Sequence, residues 1–171
     1  ILNMDYRQPL VAEFMTKVKQ WDGESLLSFP KPKDEKELAT YKLRLKLTLE
    51  ETFEVFEAVL AHEVYEAVFA PIIKDINAKI EALAISDMEI KPIDLLDSFA
   101  DQDYVNVGWA NIMGMDLGAA FQEVQRSNMT KLDKDGNPIF REDGKLLKSD
   151  QYVPPDLVTV YNTTSFKYTQ D

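Results

Sequence analysis

The longest regular pattern of apolar positions lies in the first half of the chain and predicts a helix over 35–69. Apolar residues recur there at three- and four-residue spacing, as they do on the buried side of a helix. The stripe consists of Leu45, Leu49, Phe53, Phe56 and Leu60. Asp34, with Glu37 three residues later, is typical of a helix N-terminus. Pro71 lacks a backbone N–H, so we expect the helix to end or kink there.

Shorter apolar patterns predict further helices on both sides of this one. They cover approximately 9–21, 72–83, 92–113 and 117–129. Pro92 suits the first turn of its helix, where the N–H that it lacks would have no partner. Gly114 interrupts the pattern, and Asp116 is expected to cap the helix that follows. The segment 85–91 is polar and is expected to form a loop.

The pattern changes after the last of these helices. Asp143-Gly144 is a strong turn signal, and the segments 138–141 and 145–148 on either side of it predict a small β-hairpin. Two prolines follow, and we expect the Thr- and Tyr-rich end of the chain to be extended or partly ordered.

Length and composition fit one folded domain, and the helical patterns place it in the all-α class. The chain has 171 residues, of which 45% are hydrophobic, enough to bury a core. We expect a single domain over 1–171, with a helical core over about 9–130 and a hairpin and tail over about 131–171. No apolar run reaches the roughly 18 residues of a membrane span, and the first residues show no signal-peptide pattern.

Charge and rare residues exclude several classes of chemistry. The formal net charge of −11 argues against binding of a nucleic acid polymer through phosphate contacts. A small polyphosphate remains compatible, because metal ions would supply positive charge. The absence of cysteine excludes disulfides and thiol catalysis and fits a cytoplasmic setting. His62 is the only histidine, so an all-histidine metal site within one chain is excluded.

Two groups of carboxylates lie on predicted helices at spacings that place side chains on one face. Glu54 is three residues after Glu51 and four after Glu50, so it shares a helix face with both. The second group consists of Asp94, Asp97 and Asp101. Packing carboxylates together without a cation is costly, and oxygen ligands favour Mg²⁺, Mn²⁺ or Ca²⁺. The spacing therefore predicts a shared acidic site that holds a divalent cation.

The same residues also have a simpler interpretation. Glu-rich faces are common on solvated surface helices, and Asp94 is expected to point outward or to cap its helix. Lys131 and Asn128 lie at the end of a later helix, where they fit equally the roles of dipole-stabilising cation and C-terminal cap. Trp21 and Trp109 are expected in the core or in an interface.

The acidic pattern resembles that of the MazG-like, all-alpha nucleoside triphosphate pyrophosphohydrolases. That family carries Glu-x-x-Glu on one helix, matched by Glu51 and Glu54, and Glu-x-x-Asp on a later helix, matched at its last position by Asp101. The chain departs from the family at Ser98, where Glu is usual, and Asp97 is expected to substitute for it. The resemblance extends to the segments 126–131, Arg-Ser-Asn-Met-Thr-Lys, and 152–155, Tyr-Val-Pro-Pro.

The resemblance implies an antiparallel bundle of about four or five helices that assembles as a homodimer or homotetramer. It also implies Mg²⁺-dependent hydrolysis of a nucleoside triphosphate to the monophosphate and pyrophosphate, with Mn²⁺ as a substitute for Mg²⁺. One phage subgroup, called MazZ, prefers dGTP or GTP. We accordingly expect a purine triphosphate as substrate in a phage nucleotide pathway, with the enzyme acting in the host cytoplasm.

Roles for individual residues follow from the same resemblance. The expected metal ligands are Glu51, Glu54, Asp97 and Asp101. Glu50 and Glu51 are the expected catalytic carboxylates, and Glu50 could either bind metal as well or accept a proton from the attacking water. The residues expected to contact the substrate phosphates are Asn128, Lys131, Arg126 and Arg141.

Two other functions are compatible with the sequence. The enzyme could act on dUTP, dCTP or damaged nucleotides, because base choice depends on the shape of a pocket. The acidic face could instead belong to a non-catalytic helical module that holds a cation structurally or docks a basic partner, and the irregular Ser98 position leaves room for that interpretation. Neither a membrane nor a nucleic acid polymer is an expected partner.

Overall fold

The computed structural model describes residues 5–24, 26–142 and 145–169. The chain divides into two compact units. The terminal unit comprises Ile1–Ser25 and Phe99–Asp171, and the central unit comprises Leu26–Ser98. The expected single domain over 1–171 stays a prediction.

Helices account for most of the regular structure. In chain order they are α1 (Arg7–Lys17), α2 (Glu35–Val59), α3 (His62–Val64), α4 (Ala70–Ala82), α5 (Pro92–Met113), α6 (Leu117–Met129) and α7 (Leu157–Thr163). A π-helical turn over Tyr65–Phe69 joins α3 to α4, and a 3₁₀ turn over Ile85–Asp87 precedes α5. The strands β1 (Ile139–Phe140) and β2 (Leu146–Leu147) pair antiparallel.

The N-terminus of α2 is fixed by two acidic residues, as its sequence predicts. The Asp34 side chain accepts the Glu37 backbone N–H at 2.9 Å. Glu37 itself is buried, and its carboxylate accepts the backbone N–H groups of Lys33 and Ser28 at 3.0 and 3.1 Å. The hydrogen bond from the Lys33 N–H is the main cause that lowers the pKa of Glu37 to about 2. The preceding loop is thereby tied to the first turn of α2.

The prediction of one continuous helix over 35–69 is wrong at Leu60 and Ala61, where the chain breaks between α2 and α3. These two residues take extended backbone conformations, with ψ of 156° and 141°. The apolar stripe includes Leu60 at regular helical spacing, so it does not mark the break. Pro71 lies in the first turn of α4, a position where its missing N–H has no helical partner.

The break lets the chain return so that α4 packs against α2 in the central unit. Three phenylalanines fill the corner, with ring centroids 5.7 Å apart for Phe53 and Phe56 and 5.0 Å apart for Phe56 and Phe69. The Tyr65 ring stacks on Phe69 at 6.4 Å and is buried. The contacts of Phe69 with Phe53 and Phe56 favour the turn over one continuous helix, in which these rings would lie too far apart along the axis to meet.

In the terminal unit, α1 and α7 both pack against α6. The Gln125 side chain on α6 donates to the Leu10 carbonyl of α1 at 2.8 Å, which satisfies a buried amide. The first helix is shorter than its predicted range of 9–21. It ends at Lys17, and Lys19 has a positive φ of 55° that reverses the chain.

Most of the later predictions are confirmed. α5 and α6 have the predicted bounds, Gly114 has a φ of 68° between them, and the Asp116 side chain accepts the Ala119 N–H. The hairpin is present as β1 and β2. The extended tail is wrong in part, because α7 forms there with Asp156 as its N-cap. The 3₁₀ turn likewise occupies part of the predicted loop over 85–91.

The all-α fold class with a small C-terminal hairpin is confirmed. Within the described ranges, none of the helices combines the length and the apolar character needed to cross a bilayer.

Candidate functional site

The first acidic group lies on α2 in the central unit. Glu50, Glu51 and Glu54 are all solvent-exposed. Partial desolvation raises the pKa of Glu51, and the negative charges of Glu54 and Glu50 raise it further. The three carboxylates are therefore close enough to repel one another, and a cation bound among them would relieve that repulsion.

The second acidic group follows the exposed surface of α5. Asp97 lies in the central unit, and Asp101, one helical turn later, lies in the terminal unit. The Ser98 hydroxyl, at the position where the family pattern has Glu, donates to the Asp94 carbonyl at 2.8 Å. Such a bond satisfies the hydroxyl within its own helix, so we do not assign Ser98 as a metal ligand.

The residues that the structure describes contain no group of three or more Asp, Glu or His side chains close enough to hold a metal ion. The α2 carboxylates interact electrostatically with one another, but they are not joined into such a group. The ligand set of Glu51, Glu54, Asp97 and Asp101 stays a prediction, as do the catalytic roles of Glu50 and Glu51.

The predicted phosphate-binding segment 126–131 lies at the C-terminal end of α6, where it contacts a strap formed by residues 149–156. The Arg126 guanidinium pairs with Glu123 at 2.8 and 2.6 Å and donates to the Pro154 carbonyl at 3.1 Å. Glu123 also accepts the Asp156 N–H at 2.7 Å. The bond from Arg126 is the main cause that lowers the pKa of Glu123 to about 2. This pair fastens the strap to α6.

Two hydroxyls of the same segment also hold the strap. Ser127 is only 3% exposed, and its hydroxyl donates to the Val153 carbonyl at 2.9 Å. Thr130 accepts the Val153 N–H at 2.9 Å. Both side chains are thereby committed to the backbone of the strap, so the motif residues Ser127 and Thr130 act structurally.

The other three predicted phosphate contacts lie at the end of α6 and in the hairpin. Asn128 and Lys131 are half-buried, and the Lys131 ammonium lies 5.9 Å from the centre of the Phe14 ring on α1. Arg141 belongs to the hairpin, where its backbone N–H donates to the Lys145 carbonyl at 2.9 Å. The substrate-binding roles of Asn128, Lys131, Arg126 and Arg141 stay predictions.

A cavity of about 720 Å³ opens between α1, the segment that follows it and α6, all within the terminal unit. Its apolar walls come from Pro9, Val11, Ala12, Met15, Trp21 and Phe121. Asp5, Arg7 and Gln8 form a polar edge. The Arg7 guanidinium pairs with Asp5 at 2.8 Å and with Asp103 on α5 at 2.7 Å. The cavity has the size of a small-molecule site.

Sequence reasoning missed this cavity and the residues that shape it. Arg7 and Asp103 are 96 positions apart, and no local pattern relates them. Trp21, expected in the core or in an interface, lines the cavity instead. Glu123 was also missed, although its i,i+3 spacing to Arg126 is a recognisable signal for an ion pair on one helix.

The fold and these sites define the chain as an all-α protein with carboxylates exposed on two helices. A search of family models and a search of curated proteins each found no match. The fold is similar to the crystal structure of a candidate NTP pyrophosphohydrolase from Exiguobacterium sp. 255-15, with a TM-score of 0.59 and 22% sequence identity. The similarity covers 90% of this chain and 91% of the other, and at this level of identity it shows a shared fold.

Proposed function

We propose that this protein is a Mg²⁺-dependent nucleoside triphosphate pyrophosphohydrolase, which converts a triphosphate and water to a monophosphate and pyrophosphate. The observation that carries the proposal is the crowding of Glu50 and Glu54 around Glu51 on α2, in a fold shared with a candidate NTP pyrophosphohydrolase. Carboxylates that repel one another in the free protein are suited to a cationic ligand.

The donor chemistry fits a hard divalent ion, because every expected ligand is a carboxylate oxygen. Glu51, Glu54, Asp97 and Asp101 would hold Mg²⁺, with Mn²⁺ as a substitute. When bound, the ion neutralises the triphosphate and the charge that develops on the leaving pyrophosphate. Glu50 and Glu51 serve as proton acceptors for the attacking water.

Positive groups near the end of α6 are proposed to orient the phosphates. Lys131 and Asn128 would supply an ammonium and an amide. Arg126 and Arg141 are assigned supporting contacts, and the pairing of Arg126 with Glu123 makes it the weaker contributor. The chain has a net charge of −11, so metal ions would supply most of the charge that neutralises the phosphates.

The cavity in the terminal unit is proposed to take the base. The Trp21 indole and the Phe121 ring provide flat apolar surfaces, and the Gln8 amide offers both a donor and an acceptor at the polar edge. The proposed substrate is a purine triphosphate, dGTP or GTP.

The exposed apolar surface of α5 supports assembly with a second copy of the chain. Its apolar side chains are solvent-accessible on every side, and Tyr104 and Ile112 are 83% and 86% exposed. Large apolar side chains exposed together on a surface mark an interaction site. α5 has 22 residues and so spans about 33 Å, enough for a self-complementary contact across a twofold axis. A homodimer is the proposed state, and a homotetramer would need a second contact, because a twofold contact is fully used within the dimer.

The test is product analysis with matched variants. The protein is incubated with Mg²⁺ and each common ribo- and deoxynucleoside triphosphate, including dUTP and dCTP, and the products are separated by chromatography. We expect monophosphate and pyrophosphate, fastest from dGTP or GTP. Diphosphate and inorganic phosphate would contradict the proposed reaction. No turnover of any nucleotide would favour the non-catalytic cation-binding module.

Charge-matched variants of α2 test the metal-ligand assignment. Glu54→Gln is expected to lower kcat/KM on the order of 100-fold, because a ligand to the neutralising charge is lost. Glu57→Gln removes one negative charge from an exposed site one turn further along the same helix, and it should leave kcat/KM nearly unchanged. Full activity of Glu54→Gln would remove Glu54 from the ligand set.

A further inference from the structure

Ser149 is a buried residue that contacts the backbone of three consecutive residues at the end of α6. It is 8% exposed. Its hydroxyl lies 2.7 Å from the Leu132 carbonyl and 3.0 Å from the Thr130 carbonyl, and its backbone N–H donates to the Lys131 carbonyl at 3.2 Å. Ser149 is thus bonded to the carbonyl of Lys131 and to the carbonyls of its two neighbours, which fixes the backbone at Lys131.

The hydrogen bonds made by Ser149 fix the position of the Lys131 Cα, from which the side chain extends. The Lys131 N–H donates to the Asn128 carbonyl at 3.0 Å, three residues back. In such a turn the side chains at i and i+3 line up, so Asn128 and Lys131 lie on the same side. Ser127 and Thr130, which line up in the same way, are bonded to Val153 of the strap. The strap therefore engages one pair of side chains, and in the second pair the Lys131 ammonium lies 5.9 Å from the centre of the Phe14 ring.

We infer that Ser149 is a positioning residue for Lys131, fixing the backbone from which the lysine reaches the substrate phosphates. The inference rests on the proposed function, in which Lys131 binds those phosphates. A lysine side chain has a long flexible stem, so the region that its ammonium can reach is centred on the position of its Cα. Ser149 fixes that Cα before substrate arrives, which removes the cost of ordering the backbone on binding.

Non-additivity of two substitutions tests the inference. Lys131→Met is expected to raise KM about tenfold, the effect of losing one charge-assisted hydrogen bond, with kcat nearly unchanged. Ser149→Ala is expected to raise KM about threefold through the less ordered lysine. The double variant should be no worse than Lys131→Met alone, because Ser149 acts through a side chain that is already gone. Ser149→Cys retains a weak donor and serves as a milder perturbation.

Ser127→Ala is the matched control for a structural effect. It removes another buried hydroxyl of the same strap but makes no bond to the backbone of Lys131. We expect it to lower the melting temperature but to leave KM unchanged, both alone and when it is combined with Lys131→Met. If Ser149→Ala is additive with Lys131→Met, or leaves KM unchanged in a folded protein, Ser149 has no positioning role and the inference is overturned. Thermal melting confirms that each variant is folded at the assay temperature.

The same variants are also compared by calorimetric binding of a non-hydrolysable nucleoside triphosphate with Mg²⁺. This measurement separates the inference from the proposed function. Wild-type protein that binds the analogue with coupled effects of Ser149 and Lys131, but hydrolyses no nucleotide, overturns the reaction and supports the positioning role. Wild-type protein that hydrolyses a nucleotide with additive variant effects overturns the positioning role alone. Absence of both binding and turnover overturns both.

Discussion

Alanine substitutions of the neighbours Ser127 and Asn128 are expected to have opposite consequences. Ser127 is almost fully buried, and its hydroxyl donates to the Val153 carbonyl at 2.9 Å. The Asn128 side chain is half-buried and makes no hydrogen bond to the residues that the structure describes. Ser127→Ala should therefore destabilise the fold and spare binding, whereas Asn128→Ala should weaken binding and spare the fold.

The loss of stability expected for Ser127→Ala depends on which hydrogen-bond donors still face the Val153 carbonyl. The Thr130 hydroxyl still faces that carbonyl at 3.3 Å, so the acceptor is not left wholly unsatisfied. The cost is then that of one ordinary hydrogen bond, about 1 kcal/mol. For a chain of this length, that corresponds to a fall in Tm of about 2–4 °C. Asn128→Ala should change stability by less than about 0.5 kcal/mol and raise KM about threefold to tenfold.

Thermal melting followed by circular dichroism and steady-state kinetics measure the two effects on the same protein samples. Thr163→Val is the control, because it removes an exposed hydroxyl that donates to the Thr159 carbonyl of α7 at 2.7 Å, and its Tm should hardly move. An Asn128→Ala protein that melts as early as Ser127→Ala but retains its KM would refute the division of the segment into a strap-holding side and a ligand-facing side.

Three further predictions concern acid stability, assembly and the cavity. The pKa values of Glu37 and Glu123 are about 2, below the ordinary value of 4.5 that applies to the unfolded chain. The folding stability that these two carboxylates contribute is therefore complete above about pH 5 and is lost as the pH falls toward 2. Melting curves of Glu37→Gln should accordingly fall less steeply than wild type over that range. Ile112→Glu should dissociate the oligomer in light scattering, whereas Val158→Glu, 73% exposed on α7, should not. Trp21→Ala should raise KM about tenfold for the nucleotide by removing a stacking surface, with inorganic triphosphate binding unaffected.

The carboxylate positions could be predicted from sequence because helix spacing fixes them locally. Glu51 and Glu54 needed only the three-residue separation that places both on one face of α2. Whether they join Asp97 and Asp101 depends on how separate elements and copies of the chain meet, and helical spacing contains no information on that. The proposed ligand set is therefore tested by comparing kcat/KM of Glu54→Gln with that of the control Glu57→Gln.

Local chemistry by itself determined the all-α class, the bounds of α5 and α6, the caps at Asp34 and Asp116, and the hairpin. Each depends on contacts within a few residues, which the sequence displays directly.

Only the tertiary structure decided where α2 ends, that the tail forms α7, and that Ser127 and Thr130 hold the strap. The break after α2 is favoured by aromatic rings that meet only when α4 returns across it. The strap and the Arg7–Asp103 pair join residues far apart in the chain. Long-range burial and hydrogen bonding of this kind override local periodicity, because the free energy gained depends on the partner and not on the neighbouring sequence.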